Sequence, residues 1–289
     1  MNTIWSDYVQ SVHTLYDSRR LRFSDRFRAQ FEPLFGLPDC CRVLEIGCGP
    51  GALAETLTRW YPDAAVTGLD RDSRFVAFAQ KTVPQAQFLE GDAAALPFAE
   101  ESFDVTISNT VAEHIEPSAF YGEQYRVLKP GGVCLVLCCR RGVCLSAPCL
   151  QESDFEQAIW ERVDVFYQDV VQKNAIGAYA QNEMELPRRM EQYGFRNVTS
   201  SYAITALTPD DPSCSPEMAR AIIEAGRHAA LDNIDSLLLL PGHPVTQAEH
   251  DEIKRRTNQR FDTRLALYTA GEKQWDTETS LIQVVRGVK

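Results

Sequence analysis

The chain has 289 residues, of which 44% are hydrophobic and 24% are charged. These ordinary globular values exclude a disordered chain and a small disulfide-stapled protein. The formal net charge is -11, and an acidic protein repels phosphate backbones and anionic headgroups, so we expect neither nucleic acid nor a membrane as a partner. Residues 1–21 contain no continuous apolar run of the kind found in secretion signals, and we expect a cytoplasmic protein.

The nine cysteines do not follow a metal-binding pattern. No pair has Cys-x-x-Cys spacing, and no histidine pair accompanies them at zinc-ligand spacing, so we predict no metal site. Cys134 and Cys138 fall on the same side of an apolar run, as buried thiols in a strand would. The alternative for these cysteines is a functional thiol.

Strand and helix patterns alternate along the first half of the chain. Two leading helices are predicted within residues 1–38. Short apolar runs then predict strands at 42–46, 65–69, 87–89, 103–108 and 133–139, with helical patterns between them. Such alternation indicates a doubly wound α/β fold, with a mostly parallel sheet covered by helices on both faces.

The second half of the chain adds two helical insertions to this pattern. We divide the chain into leading helices (1–38), an α/β core (39–149), a helical insertion (150–185), a core helix and sixth strand (186–207), a second insertion (208–277) and a seventh strand (278–289). A capping box at 246–249 marks a helix start in the second insertion. We expect the insertions to cover the carboxyl ends of the strands, and the alternative is a homodimer interface.

A glycine-rich turn, Glu45-Ile46-Gly47-Cys48-Gly49-Pro50-Gly51, follows the first strand. Glycines at a strand-to-helix turn let a ligand approach the backbone where a Cβ atom would clash. The same turn also fits the Gly-x-Gly-x-x-Gly/Ala fingerprint of dinucleotide-binding enzymes. Asp70 ends the second strand, where a carboxylate can accept hydrogen bonds from both hydroxyls of a ribose. The two features predict a ribose-containing cofactor without deciding which one.

Four motifs in the core carry a resemblance to a known family. In chain order they are Val43-Leu44-Glu45-Ile46-Gly47-Cys48-Gly49-Pro50-Gly51, Gly68-Leu69-Asp70, Glu90-Gly91-Asp92-Ala93 with Leu96-Pro97-Phe98, and Leu128-Lys129-Pro130-Gly131-Gly132. With this ordered set the chain resembles the class I S-adenosylmethionine-dependent methyltransferases, especially the branch related to ubiquinone and menaquinone biosynthesis. The resemblance implies a seven-stranded Rossmann-like methyltransferase sheet with S-adenosylmethionine as the cofactor.

The resemblance also implies individual roles for residues along the edge of the sheet. The backbone of Gly47, Cys48 and Gly49 would pass beside the methionine part of the cofactor, and Glu45 would lie near its amino group. Asp70 would hold the ribose. For the other positions, the resemblance implies Asp92 and the Ala93 amide at the adenine, Arg71 over an adenine face, and the Asn109 carbonyl towards the methionine end.

Transfer of a methyl group from an activated donor requires mainly alignment and exclusion of water. A base is needed only if the acceptor must lose a proton, and Glu113 and His114, after the fourth strand, are the nearest candidates. Tyr16 and Arg20 are candidates for covering the cofactor. Four aromatic residues of the first insertion are candidates for lining a small-molecule acceptor site: Trp160, Phe166, Tyr167 and Tyr179. The alternative for these residues is helix packing. The alternative functions are a nicotinamide-dependent oxidoreductase and a non-catalytic methyltransferase-like scaffold.

Overall fold

The computed structural model describes residues 11–139, 145–173, 177–239 and 242–289, with only the backbone of 169–172. Eight strands in this part of the chain belong to one sheet: β1 (Arg42–Ile46), β2 (Ala65–Asp70), β3 (Gln87–Glu90), β4 (Phe103–Asn109), β5 (Leu128–Cys139), β6 (Leu145–Ala147), β7 (Arg196–Leu207) and β8 (Thr277–Val288). The strand order is β3-β2-β1-β4-β5-β8-β6, and β7 pairs with β8.

Helices connect the strands of this sheet. They are α1 (Val12–Arg22), α2 (Arg28–Phe35), α3 (Ala52–Trp60), α4 (Ser73–Thr82), α5 (Pro117–Val127), α6 (Asp154–Lys173), α7 (Glu185–Gln192), α8 (Pro216–Leu237) and α9 (Gln247–Ala270). Of the helices described, none is both long enough and apolar enough to cross a membrane. The mostly parallel, doubly wound α/β fold predicted from the sequence is confirmed.

The sheet has one strand more than the seven predicted. β5 pairs with residues 282–288 of β8, which leaves the beginning of β8 without a partner on that side. The short strand β6 fills this place, pairing Leu145 with Thr279 and Ala147 with Thr277. Three residues carry too little hydrophobic pattern to be recognised as a strand, so the sequence did not predict β6.

The position of β8 separates this sheet from a dinucleotide-binding domain. In the latter, parallel strands follow the order 3-2-1-4-5-6. Here β1 to β5 are parallel, but the place beside β5 is taken by the last strand of the chain, which runs antiparallel to β5. β7 then pairs antiparallel with the other edge of β8. The architecture therefore does not support the nicotinamide alternative.

Three hydrophobic clusters account for the packing. One fills one side of the sheet and includes aromatic side chains of α2 and α3, and a second fills the other side beneath α5 and α7. The third lies among α6, α8 and α9, and its buried members are Ile159, Val163, Ile234, Leu237, Val245 and Ile253. The two insertions therefore share a hydrophobic core of their own, which we call the insertion core.

The helix α1 lies between the insertion core and the sheet. On one side, the hydroxyls of Ser11 and Thr14 donate hydrogen bonds to the Asp232 carboxylate of α8. On the other side, the Tyr16 hydroxyl donates to Glu55 of α3 at 2.9 Å. These contacts hold α1 near the carboxyl ends of β1 and β4.

Candidate active site

The glycine turn after β1 packs directly on the end of β2. The backbone N–H groups of Gly47 and Cys48 both donate to the carbonyl of Leu69, at 2.8 and 3.0 Å. Gly47 has φ +66°, and a Cβ atom at this position would lie 2.4 Å from Cγ2 of Val111. Only glycine fits this conformation and this space without a shift of Val111.

Asp70 shapes the same turn from the end of β2. Its Oδ2 atom accepts a hydrogen bond from the Gly49 N–H at 2.8 Å, and its Oδ1 atom accepts from the Asp72 N–H at 2.9 Å. Burial raises the pKa of Asp70, whereas these two backbone donors act in the opposite direction. Each carboxylate oxygen has a further lone pair, so Asp70 can still accept from a ligand in the cleft.

Glu45 is a buried carboxyl group at the floor of the site. It is 2% exposed, and its Oε2 atom has no hydrogen-bond partner among the described residues. Burial, together with the nearby Asp70 carboxylate, raises the pKa of Glu45 well above its usual range. Asn109 also has a buried side-chain oxygen, Oδ1, without a partner in the described part of the chain. Buried polar atoms of this kind are costly unless a ligand satisfies them.

These groups line a cleft that contains about 1000 Å³ of empty space, including its open mouth. All of the residues for which the resemblance implies a cofactor contact line it, together with His114 of the two candidate bases: Glu45, Gly47, Cys48, Gly49, Asp70, Arg71, Asp92, Ala93, Asn109 and His114. The cleft runs along the carboxyl ends of the parallel strands, where open α/β sheets bind their ligands. The sequence therefore predicted which residues share the cleft, while their individual roles stay predictions.

In two of these residues, a group that was expected to contact the cofactor accepts a hydrogen bond from a neighbouring residue. The Asn109 carbonyl, expected to face the cofactor, accepts a hydrogen bond from the Thr110 hydroxyl at 2.7 Å. One carboxylate oxygen of Asp92 accepts from the Ala94 N–H at 2.9 Å. The buried Oδ1 atom of Asn109 is thus a better candidate for a ligand contact than its carbonyl. The other carboxylate oxygen of Asp92 stays available to a ligand.

His114 and Glu113 lie on a short 3-10 turn after β4. The Nδ1 atom of His114 accepts a hydrogen bond from the Gly177 N–H at 3.2 Å, so a neutral ring carries its proton on Nε2. That Nε2 atom lies 3.9 Å from a carboxylate oxygen of Glu113. Glu113 points towards Cys138, whose thiol lies 3.8 Å from the other oxygen. Of the two candidates, only His114 lines the cleft.

The residues of α1 that line the cleft are not the predicted ones. Tyr16 instead donates to Glu55, and burial with this contact raises the pKa of Tyr16 to about 12. Arg20 is exposed and does not line the cleft. Leu15 and Arg19 line it in their place.

Arg19 contributes a cation to the cleft. Its guanidinium donates to the Thr110 hydroxyl at 3.4 Å, and among the described residues no carboxylate forms an ion pair with it. Burial, with Arg22 nearby, lowers the pKa of Arg19 to about 9, so the group remains charged at neutral pH. Thr110 itself has φ +57°, a conformation that costs energy for a residue other than glycine and that clusters at functional sites.

The insertion aromatics lie elsewhere, and of the described cysteines only Cys48 lines the cleft. Trp160 packs against the insertion core, and neither it nor Phe166, Tyr167 or Tyr179 lines the cleft. The cysteines that the structure describes are free thiols, and burial raises the pKa of Cys134 to about 12. In the described part of the chain, no group of three or more possible ligands could hold a metal ion.

The fold and the cleft together define an α/β domain built to bind an adenosine cofactor. Comparison with known families narrows this class, since residues 44–136 match the family described as "Methyltransferase domain". Residues 44–136 are therefore similar to the methyltransferase domains of the class I S-adenosylmethionine-dependent enzymes. The branch related to ubiquinone and menaquinone biosynthesis stays a prediction.

Individual relatives match the same core. The phthiotriol/phenolphthiotriol dimycocerosates methyltransferase of Mycobacterium leprae (strain TN) is 45% identical over 95 residues, which are 32% of this chain and 35% of that protein. The fatty-acid O-methyltransferase of Mycolicibacterium smegmatis is 40% identical over 95 residues, 32% of this chain and 34% of that protein. The chain thus matches about a third of the length of these curated relatives.

Among solved structures, phosphoethanolamine N-methyltransferase 2 of Haemonchus contortus, in complex with S-adenosyl-L-methionine, has a TM-score of 0.51 and 16% identity. The similarity covers 99% of this chain and 59% of that one. At this identity the likeness supports the fold alone.

Proposed function

We propose that the protein is an S-adenosylmethionine-dependent methyltransferase. The observation that carries this proposal is the buried Glu45 carboxyl, which has an unpartnered oxygen in a cleft formed by the glycine turn. A buried carboxylate requires a cationic or hydrogen-bonding partner, and the ammonium of a methionine moiety provides both. A nicotinamide cofactor has no ammonium group to offer at this place.

The charges along the cleft match the cofactor from end to end. Glu45 would accept from the ammonium group, and Arg19 would pair with the carboxylate of the same methionine moiety. Asp70, at the end of β2, would accept from the ribose hydroxyls. Asp92 and the Ala93 amide would bind the adenine. The residues present therefore fit S-adenosylmethionine.

When bound, S-adenosylmethionine supplies a methyl group on a positively charged sulfur, which is an activated donor. The chain must then align an acceptor and exclude water. Leu15 and Arg19 of α1 lie over the glycine turn and the end of β4, where they would cover the methionine moiety. Neither task requires a metal or a covalent intermediate on the protein.

His114 is the residue that we assign to the acceptor side of the cleft. Because its Nδ1 atom is engaged by Gly177, the neutral ring would present Nε2–H as a donor, which suits an acceptor oxygen. To act as a base, His114 would have to release Gly177 or lose its Nε2 proton to Glu113. We therefore propose positioning of the acceptor as its main role and proton removal as the alternative.

The acceptor that we propose is a small molecule with an apolar part. Val111 and Ile115 place apolar side chains in the cleft beside His114. The related proteins named above include a fatty-acid O-methyltransferase and a dimycocerosates methyltransferase, which supports an acceptor of lipid character. A lipid carboxylate needs no base, whereas a lipid hydroxyl must lose a proton.

Calorimetry with S-adenosylmethionine, S-adenosylhomocysteine and a nicotinamide dinucleotide tests the cofactor assignment. We expect S-adenosylmethionine and S-adenosylhomocysteine to bind and the nicotinamide dinucleotide not to bind. Binding of the dinucleotide alone would support the oxidoreductase. Arg19→Gln should weaken binding of S-adenosylmethionine by about tenfold to 150-fold, because a charge-assisted contact contributes roughly 1.5–3 kcal/mol. Arg20→Gln, at the next and exposed position of α1, is the matched control and should bind S-adenosylmethionine as the parent protein does.

Turnover is tested by the formation of S-adenosylhomocysteine with fatty acids and with hydroxylated lipids. Methylation of either class supports the proposal and identifies the reacting atom. His114→Asn, which retains a hydrogen-bonding side chain, should raise the KM of the acceptor and leave cofactor affinity unchanged. If the protein binds the cofactor but methylates none of a broad acceptor panel, the non-catalytic scaffold becomes the better description.

A further inference from the structure

The second insertion is fastened to the helix that covers the cleft. Ser11 is the N-cap residue of α1, and its hydroxyl donates to the Asp232 carboxylate. The hydroxyl of Thr14, which is buried, donates to the same carboxylate oxygen. One side chain of α8 therefore receives two hydroxyl donors from the first turn of α1.

A second pair of side chains continues this contact along both helices. Asp17, one turn beyond Thr14, lies 3.6 Å from the Nδ1 atom of His228. His228 and Asp232 are four residues apart and hence share a face of α8. Thus α8 runs alongside α1 over more than one turn.

The adjacent side of α1 faces the cleft. A Cβ atom at Gly49 would lie 3.2 Å from Leu15, which therefore sits directly on the glycine turn. Arg19, one turn further along, reaches Thr110 at the end of β4. α1 thus connects α8 to the cofactor cleft through two different faces of a single helix.

An 11-residue helix has little stability of its own in water. Its position over the cleft must therefore come from the surfaces on which it packs. The contact with Asp232 is well suited to this task, because hydrogen bonds to a charged group are about twice as strong as neutral ones.

We propose that Asp232 is a positioning residue for the cofactor cleft, which holds α1 in place from the second insertion. This inference rests on the proposed function, since the ligand under α1 is taken to be S-adenosylmethionine. Residues 208–277 were expected to cover the carboxyl ends of the strands. Under this proposal, they would also determine the affinity for the cofactor. By reciprocity, the bound cofactor would also stabilise the contact between α1 and α8.

The test compares Asp232→Ala with Asp235→Ala in the full chain. Asp235 also lies on α8, but its carboxylate accepts from Lys254 of α9 at 2.7 Å, so this control disturbs the insertion without touching α1. We expect D232A to weaken S-adenosylmethionine binding by about tenfold, within the range of typical coupling energies, and D235A by about twofold at most. If D232A is poorly folded, Asp232→Asn takes its place. This variant keeps an acceptor oxygen and should lose less cofactor affinity than expected for D232A.

Two further measurements separate positioning from general stabilisation. In a double-mutant cycle with Leu15→Ala, the effect of D232A should shrink, because both changes act through the placement of α1. Hydrogen exchange without cofactor should be faster in the α1 amides of D232A than in those of D235A.

Equal losses of cofactor affinity in the two variants, or unchanged exchange of the α1 amides in D232A, would overturn the inference. If the parent protein does not bind S-adenosylmethionine, the proposed function fails. The exchange experiment still decides whether Asp232 holds α1.

Discussion

Replacement of Asp70 by asparagine is expected to affect both the cofactor and the glycine turn. Asparagine keeps one acceptor oxygen, but Asp70 uses both of its oxygens, one for the Gly49 N–H and the other for the Asp72 N–H. One of these donors would then face an NH2 group. The loss of one charge-assisted hydrogen bond predicts a decrease of about 1.5–3 kcal/mol in the free energy of unfolding.

The affinity for S-adenosylmethionine should also fall in D70N. If a charge-assisted pair of hydrogen bonds to the ribose is lost, the decrease is about 1–3 kcal/mol, or roughly fivefold to 150-fold in Kd. Calorimetry and denaturant unfolding measure the two effects separately. The matched control is Asp63→Asn, in the exposed turn before β2, which should change neither quantity. A well-folded D70N protein with unchanged affinity would remove Asp70 from the cofactor site.

Three further changes test other parts of the site. Gly47→Ala should destabilise the fold by about 1–3 kcal/mol in denaturant unfolding, because the added Cβ atom would lie 2.4 Å from Val111 at a positive φ, and unchanged stability would contradict the observed turn. Burial raises the pKa of Glu45, so the folded state binds more protons than the unfolded one and its stability falls as pH rises through the raised pKa. Glu45→Gln should therefore raise the Tm at neutral pH and remove this pH dependence of stability, while weakening cofactor binding. A lower Tm would show that the folded protein stabilises the charged form of Glu45. Exhaustive treatment with a chelator should leave unfolding and methyl transfer unchanged, and stoichiometric zinc in the purified protein would refute this.

The core of the fold could be predicted from the sequence because its signals are local. The run of residues that forms β1, the glycines that follow it and the carboxylate that ends β2 lie within about 30 residues, roughly the span of one βαβ unit. The physical requirement for each is also local, since the turn needs positive φ angles and the buried strands need continuous apolar runs. The glycine turn and Asp70 accordingly line one cleft.

The residues contributed by α1 could not be predicted in the same way. The sequence analysis identified Tyr16 and Arg20, whereas Leu15 and Arg19 line the cleft. The rotation of α1 about its axis depends on contacts with Asp232, more than 200 residues away in the chain. A helical pattern predicts that a helix has two faces, but the distant contact decides which face covers the cofactor.

Removal of α6 tests whether the first insertion serves the acceptor or the assembly of the protein. Among the described residues, none of α6 lines the cofactor cleft, and its contacts are with α8 and α9. Glu156 is 2% exposed and pairs with Arg260 of α9, so α6 is an integral part of the insertion core. Its loss should leave α1 and the cofactor contacts in place, provided that the rest of the chain folds.

Replacing residues 154–175 by a short linker should thus keep the cofactor affinity within about tenfold. It should abolish methyl transfer, because Gly177, which follows the replaced segment and donates to His114, would be displaced and the acceptor side of the site would open to water. Calorimetry and formation of S-adenosylhomocysteine are measured on the same preparation. Arg162→Ala, which breaks only an exposed ion pair with Glu249, is the control and should change neither quantity. If the segment is instead a homodimer interface remote from the cleft, the shortened protein will sediment as a monomer and keep its acceptor kinetics, which would refute the role in covering the site.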